Sequence, residues 1–368
     1  MKRSSLAILG SLAFGALWRL AGGQQPAVQP PAQAEPPAAT RQQTPANQLT
    51  FRVQGKEVIV PVTVTDDRGY FVRDLTEADF RILDEGKPQR ITYFNHSPKQ
   101  PVVFGFLVDL SNNSRTHWAR YKESIKELIW ALVPGDTPSA GYLIAYSNNA
   151  ELVVNTTSNG ETLADKVDKM AAGAGGSALF DAINMACTRR ELVKGEPYEP
   201  RRVIVIIGDG HDNASSKSVA EVLELAKRNL ITIYGMSTVA YGFDNEAQAT
   251  LEQLANETGG RVQYPLNSLF KDSFGYLSTP TDEGSYVYEP GTGGYAAEVA
   301  KGILNAVTNI VGEVTTQYVM HYIPDVDTGS SGRVFRRIKV DVPSLPNVKI
   351  HARDGYYPEA PPPTQPAQ

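Results

Sequence analysis

Two kinds of hydrophobic run alternate along this chain. In the first, Val58, Val60, Val62 and Val64 alternate with Ile59, Pro61 and Thr63, the period of a strand with one buried face. Pro61 lacks a backbone donor, which predicts a sheet edge. Asp66-Asp67-Arg68-Gly69 reads as a turn, and Thr76 to Asp79 has capping-box spacing over one short helical turn. Phe80 and Ile82, then Ile91 and Tyr93, flank Asp84-Glu85-Gly86-Lys87 and predict a hairpin. From Pro101 the second kind begins. Val102 to Val108, Ala140 to Tyr146, Val203 to Ile207 and Leu230 to Tyr234 are near-continuous apolar runs, as in strands buried on both faces. Helical periodicity covers Trp118 to Leu132, Ala178 to Leu192, Val219 to Arg228, Glu246 to Glu257 and Ala296 to Val311. Strand patterns return at Gln317 to Ile323, Val334 to Val342 and Val348 to Arg353.

This order predicts an α/β fold, a doubly wound, mostly parallel sheet covered by helices on both faces. The flanking strands are predicted to pair with each other, so the α/β part is inserted in a small discontinuous β domain. The expected boundaries are an export signal at 1–23, a Pro/Ala/Gln-rich linker at 24–48 and β strands at 49–97. The α/β domain follows at 98–314, more β strands at 315–357, and a tail at 358–368. The linker and tail have almost no large apolar residues and too little to bury to order themselves.

The N-terminus changes the picture of where the protein works. Lys2 and Arg3 precede an uncharged run from Leu6 to Trp18, and Ala21 and Gly23 suit cleavage before Gln24. The run is too short for a bilayer core of about 30 Å, although an uncleaved anchor is the alternative. No second long apolar segment follows. The mature protein is expected to be periplasmic or secreted, without stable membrane insertion.

Composition narrows the partners. The 368 residues are 41% hydrophobic and 20% charged, with a net charge of -5. With no basic excess to neutralise phosphates, nucleic acid is not expected as a partner. The single cysteine, Cys187, forms no internal disulfide and reads as a small buried hydrophobe.

In open α/β sheets, ligands bind beyond the carboxyl ends of the strands. Three oxygen-rich segments fall at such places: Asp109 to Ser114, Gly175-Gly176-Ser177, and Asp209 to Asn213. Hard divalent cations take oxygen ligands. Two carboxylates with hydroxyls and amides would leave a coordination position for a partner's carboxylate. The competing reading makes Asp109 and Ser177 helix caps and Asp209-Gly210 a plain turn. His211 lacks a nucleophile and an orienting partner and reads as a loop histidine, and Asp212 as a loop hydrogen-bonder. The glycines near Ser177 lack the Lys of a phosphate-binding loop. Five Asn-x-Ser/Thr sequons, at Asn95, Asn112, Asn155, Asn213 and Asn256, read as chance matches, since a glycan on Asn112 would block the site.

In this order the three segments resemble the metal-ion-dependent adhesion site of von Willebrand factor type A domains. That pattern is Asp-x-Ser-x-Ser, then Thr in a glycine-rich loop, then Asp-Gly. Asp109 and Ser111 match the first two positions, Ser177 stands for the Thr, and Asp209-Gly210 matches the last. Gly135-Asp136 to Ser147 resembles the second strand and its lead-in. Asn113 departs from the pattern, and Ser114, one residue later, is an alternative ligand. The flanks, VPVTVTDDRGYFVRDLTEADFRILDEGKPQRITYF and ARDGYYP, resemble a bacterial, Acidobacteria-type subgroup of A-domain proteins.

The resemblance implies a non-enzymatic adhesion module. A divalent cation would be held by Asp109, Ser111, Asn113 or Ser114, Ser177 and Asp209: Mg²⁺ first, with Mn²⁺, Ca²⁺ or no ion as alternatives. The implied partner is a protein offering an acidic side chain. Two rival readings stay open, a metal-free scaffold and a metal-dependent hydrolase. A Gly- and Tyr-rich insertion, Phe270 to Tyr295, adds Tyr276, Tyr286, Tyr288 and Tyr295 as candidate partner contacts.

Overall fold

The computed structural model describes residues 57–96, 100–115, 118–173, 175–189, 200–239, 246–266, 293–324 and 334–358, with side chains in the last helix from residue 299 onward. The first four strands are β1 (Val58–Thr65), β2 (Arg81–Asp84), β3 (Lys87–Gln89) and β4 (Ile91–Asn95). The α/β part runs β5 (Val102–Asp109), α1 (Trp118–Leu132), β6 (Ser139–Tyr146), β7 (Ala150–Thr157), α2 (Gly160–Asp168) and α3 (Leu179–Thr188). It continues β8 (Arg201–Gly208), α4 (Val219–Arg228), β9 (Ile231–Ser237), α5 (Glu246–Thr258), β10 (Val262–Gln263) and α6 (Gly293–Thr316). The chain then returns to β structure with β11 (Tyr318–Tyr322), β12 (Arg336–Asp341), β13 (Lys349–Ala352) and β14 (Gly355–Tyr356).

The six-stranded sheet has the order β10-β9-β8-β5-β6-β7. Its pairings are parallel except for β6 with β7. The continuous apolar runs have a direct reason. Phe104, Phe106 and Val108 face a core shared with α1, α2 and α6. Val103 and Leu107 face the opposite core, shared with α3, α4 and α5. Each strand needs apolar side chains on both faces because each face carries helices. Helix ends are closed by short polar side chains. Asn159 accepts the Glu161 and Thr162 amides at α2, and Ser218 with Glu221 forms a capping box at α4.

The flanking strands do pair across the α/β part. One antiparallel sheet has the order β13-β1-β11-β4 and the other β14-β12-β2-β3. They share a core of Val58, Val60, Val62, Ile82, Tyr318, Met320, Tyr322, Ile338 and Val340. Buried Asp84 ties both sheets together. It accepts the Tyr322 and Tyr356 hydroxyls at 3.0 and 2.9 Å and the Arg336 guanidinium at 2.9 and 2.8 Å. Lys227 of α4, almost fully buried, reaches Glu257 of α5 at 2.6 Å and Asp354 beside β14 at 3.1 Å, which fastens the β strands to the α/β part.

Two sequence expectations are corrected. β1 is an interior strand, not an edge: β11 pairs with Val58 to Val62 and β13 with Val62 to Thr65. Pro61 is tolerated because it lies where β13 has not yet joined. The predicted hairpin forms from a different pair. Glu85 (φ 49°) and Gly86 (φ 77°) make a two-residue turn with both central residues left-handed, pairing Asp84 directly with Lys87. The strand after it is therefore β3, while Ile91 and Tyr93 pass to the other sheet beside β11.

Candidate metal-binding site

β5 and β8 are neighbouring parallel strands, and both end at the carboxyl edge of the sheet. Asp109 is the last residue of β5 and Asp209 immediately follows β8. Gly208 allows their close approach. A Cβ there would lie 2.5 Å from the Tyr146 hydroxyl and 2.9 Å from Asp109 Cβ. After Asp109 the chain makes a 3-10 turn, Asn112–Arg115, that carries Ser114 inward. The loop at 173–177 is tied in from both sides: the Gly173 amide donates to Leu110 O at 3.1 Å, and the Asn112 amide to Gly175 O at 3.3 Å.

Asp109 is 1% exposed. Its Oδ1 accepts the Ser111 amide at 2.8 Å, and its Oδ2 is buried without a hydrogen-bond partner. Burial pushes its carboxyl up to about 6. The Ser111 amide opposes that shift, the Asp209 charge adds to it, and no cationic side chain contributes. Ser111, Ser114 and Ser177 are 2%, 4% and 2% exposed, and their hydroxyl oxygens also lack partners. The Ser111 and Ser114 hydroxyls ease the charge on Asp109, yet neither forms a hydrogen bond of ordinary geometry with it. Asp209 is half-buried. Its Oδ1 accepts the His211 amide at 2.9 Å and its Oδ2 the Asn113 side-chain amide at 2.9 Å.

With the Tyr146 hydroxyl nearby as a fifth, these four unpartnered buried oxygens at one strand edge form an unusual set, because a buried polar atom left unpaired costs about 1–3 kcal/mol. Acidic and hydroxyl oxygens of this kind suit a hard cation. Only two carboxylates converge. Among the described residues no cluster of three His, Cys, Asp or Glu side chains could hold a metal, so an ion here would rest largely on hydroxyls and water. The residues present fit a divalent cation of that kind.

The capping alternative fails for Ser177. The α3 amides of Phe180 and Asp181 are taken by Asp212 Oδ2 at 2.8 Å and Ser215 Oγ at 2.9 Å, which leaves the Ser177 hydroxyl unused. Asp212 hydrogen-bonds within its loop, to Ser215, as expected, and also across to α3. Asp109 does support its own turn, but only through Oδ1. Of the two candidates for the third position, Ser114 is buried beside Asp109, whereas Asn113 is exposed and turned onto Asp209. Cys187 is half-buried against the α3–α5 core, and burial pushes its thiol up to about 12. Tyr276, Tyr286 and Tyr288 lie outside the described residues. Tyr295 falls in the first turn of α6, its side chain outside them.

Asn148 lies outside the three segments the sequence marks, and Asn213, the last residue of the third, has no role assigned from the sequence. Asn148 Oδ1 accepts the Gly176 amide at 2.7 Å, and Asn213 Oδ1 the Ser177 amide at 2.8 Å. Their signal was position: Asn148 follows β6 and Asn213 follows β8, both at the strand edge that carries the aspartates.

The strand order reverses between β5 and β8 of this doubly wound sheet, and the oxygen-bearing side chains lie beyond the carboxyl ends of those strands, the place where α/β sheets commonly bind ligands. Residues 105–274 match the von Willebrand factor type A domain family. Domains of this family often serve protein interaction. A curated relative, the "UPF0353 protein" of Mycobacterium sp. (strain KMS), is 26% identical over 159 residues, 39% of this chain and 46% of the relative. The chain thus spans about half the length of the curated relatives it matches. Among solved structures, an aerotolerance-related membrane protein from Bacteroides fragilis is 20% identical, with 46% of this chain and 95% of that chain covered and a TM-score of 0.36. Proximal thread matrix protein 1 from the mussel byssus, with a zinc-occupied MIDAS motif, is 14% identical, with 63% and 49% covered and a TM-score of 0.41.

Proposed function

We propose that this chain is an exported, non-enzymatic binding module whose A domain recognises an acidic side chain of a protein partner at the β5–β8 edge. The reading rests on one observation, the four buried oxygens without partners: Asp109 Oδ2, Ser111 Oγ, Ser114 Oγ and Ser177 Oγ. With Asp209 they would hold a divalent cation, Mg²⁺ before Mn²⁺ or Ca²⁺, and Asn113 would lie at its rim. A bound cation would supply a coordination position for a carboxylate oxygen. The chain's own part is to keep these oxygens fixed and dry. The N-terminal pattern supports export, and among the described residues no helix is long and apolar enough to cross a membrane.

Thermal unfolding of the mature chain in chelator, then in Mg²⁺, Mn²⁺ or Ca²⁺, tests the site. A ligand at a hundred times its Kd stabilises the native state by about 2.7 kcal/mol, a rise of roughly 2–4 °C in Tm. The expected result is such a rise in wild type and none in Asp109→Ala. Equal behaviour of the two proteins refutes the site.

A second reading has its own support. The Asn113–Asp209 hydrogen bond closes one side of the crevice without any ion. On that reading the domain is a metal-free scaffold, and partner binding survives both chelator and Asp109→Ala.

A further inference from the structure

The loop carrying Ser177 is gripped from two sides by side chains that do not belong to the proposed ligand set. On one side Asn148 Oδ1 accepts the Gly176 amide at 2.7 Å. On the other, Asn213 Oδ1 accepts the Ser177 amide at 2.8 Å. The Asn213 and Ala214 amides return hydrogen bonds to Ser177 O at 2.9 and 3.0 Å. The fit leaves no slack. A Cβ on Gly175 would meet the Asn148 carboxamide at 2.6 Å, and a Cβ on Gly176 would meet Asn213 Oδ1 at 2.5 Å. Gly175 also has a φ of +79°, so a side chain there is strained as well as blocked. The two glycines and two asparagines form one device.

Its product is the orientation of a single atom. With its backbone N–H and C=O both held by the Asn213 loop, Ser177 presents a 2%-exposed hydroxyl that nothing else engages. We infer that Asn148 and Asn213 are positioning residues: they clamp the 175–177 loop so that Ser177 Oγ stands at the β5–β8 edge, and thereby set cation affinity without touching the ion. This rests on the metal-site reading given above. The clamp also links the ends of β6 and β8 to a third segment, so the site behaves as one unit. Partners that orient the ligands of a metal commonly govern its affinity by about 10–100-fold.

The test uses the full chain with Mn²⁺ as probe, comparing wild type, Asn148→Ala, Asn213→Ala, Ser177→Ala and the Asn213→Ala/Ser177→Ala double variant. Calorimetry reads Mn²⁺ affinity. Hydrogen exchange of the Gly176 and Ser177 amides in chelator reads the clamp without any metal. Each asparagine variant is expected to exchange faster at its own amide and to bind Mn²⁺ about 10-fold more weakly or worse. The double variant should bind no more weakly than Ser177→Ala alone, because Asn213 acts through Ser177. Faster exchange with unchanged Mn²⁺ affinity overturns the clamp and leaves the site standing. Additive losses in the double variant overturn the route through Ser177. No Mn²⁺ binding by wild type overturns the site reading, and the clamp with it.

Discussion

Gly208 shows how narrow the tolerance is at single positions. Its Cα lies where a methyl group would press on both the Tyr146 hydroxyl and Asp109 Cβ. Gly208→Ala is expected to cost about 1–3 kcal/mol through overpacking, and to displace Asp109. Denaturant melts check the first effect and Mn²⁺ titration the second. Ser114 and Asn113 give a cleaner contrast. If the buried Ser114 oxygen is the working ligand, Ser114→Ala weakens Mn²⁺ binding far more than Asn113→Ala, and the reverse order by calorimetry would return the role to Asn113. Strand-end position and residue type mark three oxygen-rich segments in the sequence, the resemblance singles out Asp109, Ser111, Ser177 and Asp209 within them, and the structure brings those four to one sheet edge. The choice between Asn113 and Ser114 is not legible in the sequence, because it depends on a 3-10 turn whose direction no local pattern encodes.

At the level of elements, the strongest local signals gave the truest boundaries. α1 and α4 occupy the residues predicted, Trp118–Leu132 and Val219–Arg228, since each has an uninterrupted amphipathic period. The sequence pattern does not announce β7 and α2. β7 is an edge strand with partly exposed positions and adjacent Leu152, Val153 and Val154, so its alternation is blurred. α2 is short, and its Asn159-Gly160 start reads as a turn, although Asn159 is in fact the cap. The hairpin has the same character, since the turn is visible in the sequence but the left-handed Glu85 that fixes its register is not. In the antiparallel sheets Asp84 is the element-scale keystone. It is 0% exposed and joins β2 to β11, β12 and β14. Asp84→Ala strands the Arg336 guanidinium and two hydroxyls, and is expected to cost about 3–5 kcal/mol. A loss below about 1 kcal/mol in urea melts, the size of a surface pair, would contradict this.

For the molecule as a whole, pH should act through His351 of β13. Burial holds its imidazole down at about 4, and the Arg261 and Lys349 charges add to that. Arg261 is itself paired with the buried Glu313 of α6 at 2.9 Å. Between about pH 6.5 and 4 the unfolded chain binds a proton at this histidine that the folded chain does not. Stability is therefore lost as pH falls through that window, by at most about 3 kcal/mol. Glu313 and Asp109, both raised by burial, push the other way, so the prediction concerns a difference. Wild type should lose more stability than His351→Gln between pH 7 and pH 4.5. Equal losses in chemical denaturation would remove His351 from the account.

The α/β part leaves the β13-β1-β11-β4 sheet after β4 and rejoins it at the neighbouring strand β11. Asn95 of β4 pairs with Val319 of β11, and His96 Nε2 meets Thr316 O at 3.1 Å across 220 residues of chain. Bringing such distant points together costs chain entropy that grows with the logarithm of the loop, about 3 kcal/mol more than for a loop of a few residues. A folded α/β part supplies that closure in advance, because it delivers its two ends side by side. The consequence is an order of assembly. The expected order is the parallel sheet first and the two antiparallel sheets, whose partners it separates in sequence, afterwards; pulsed hydrogen exchange that protects β1 and β11 before β5 and β8 would overturn it.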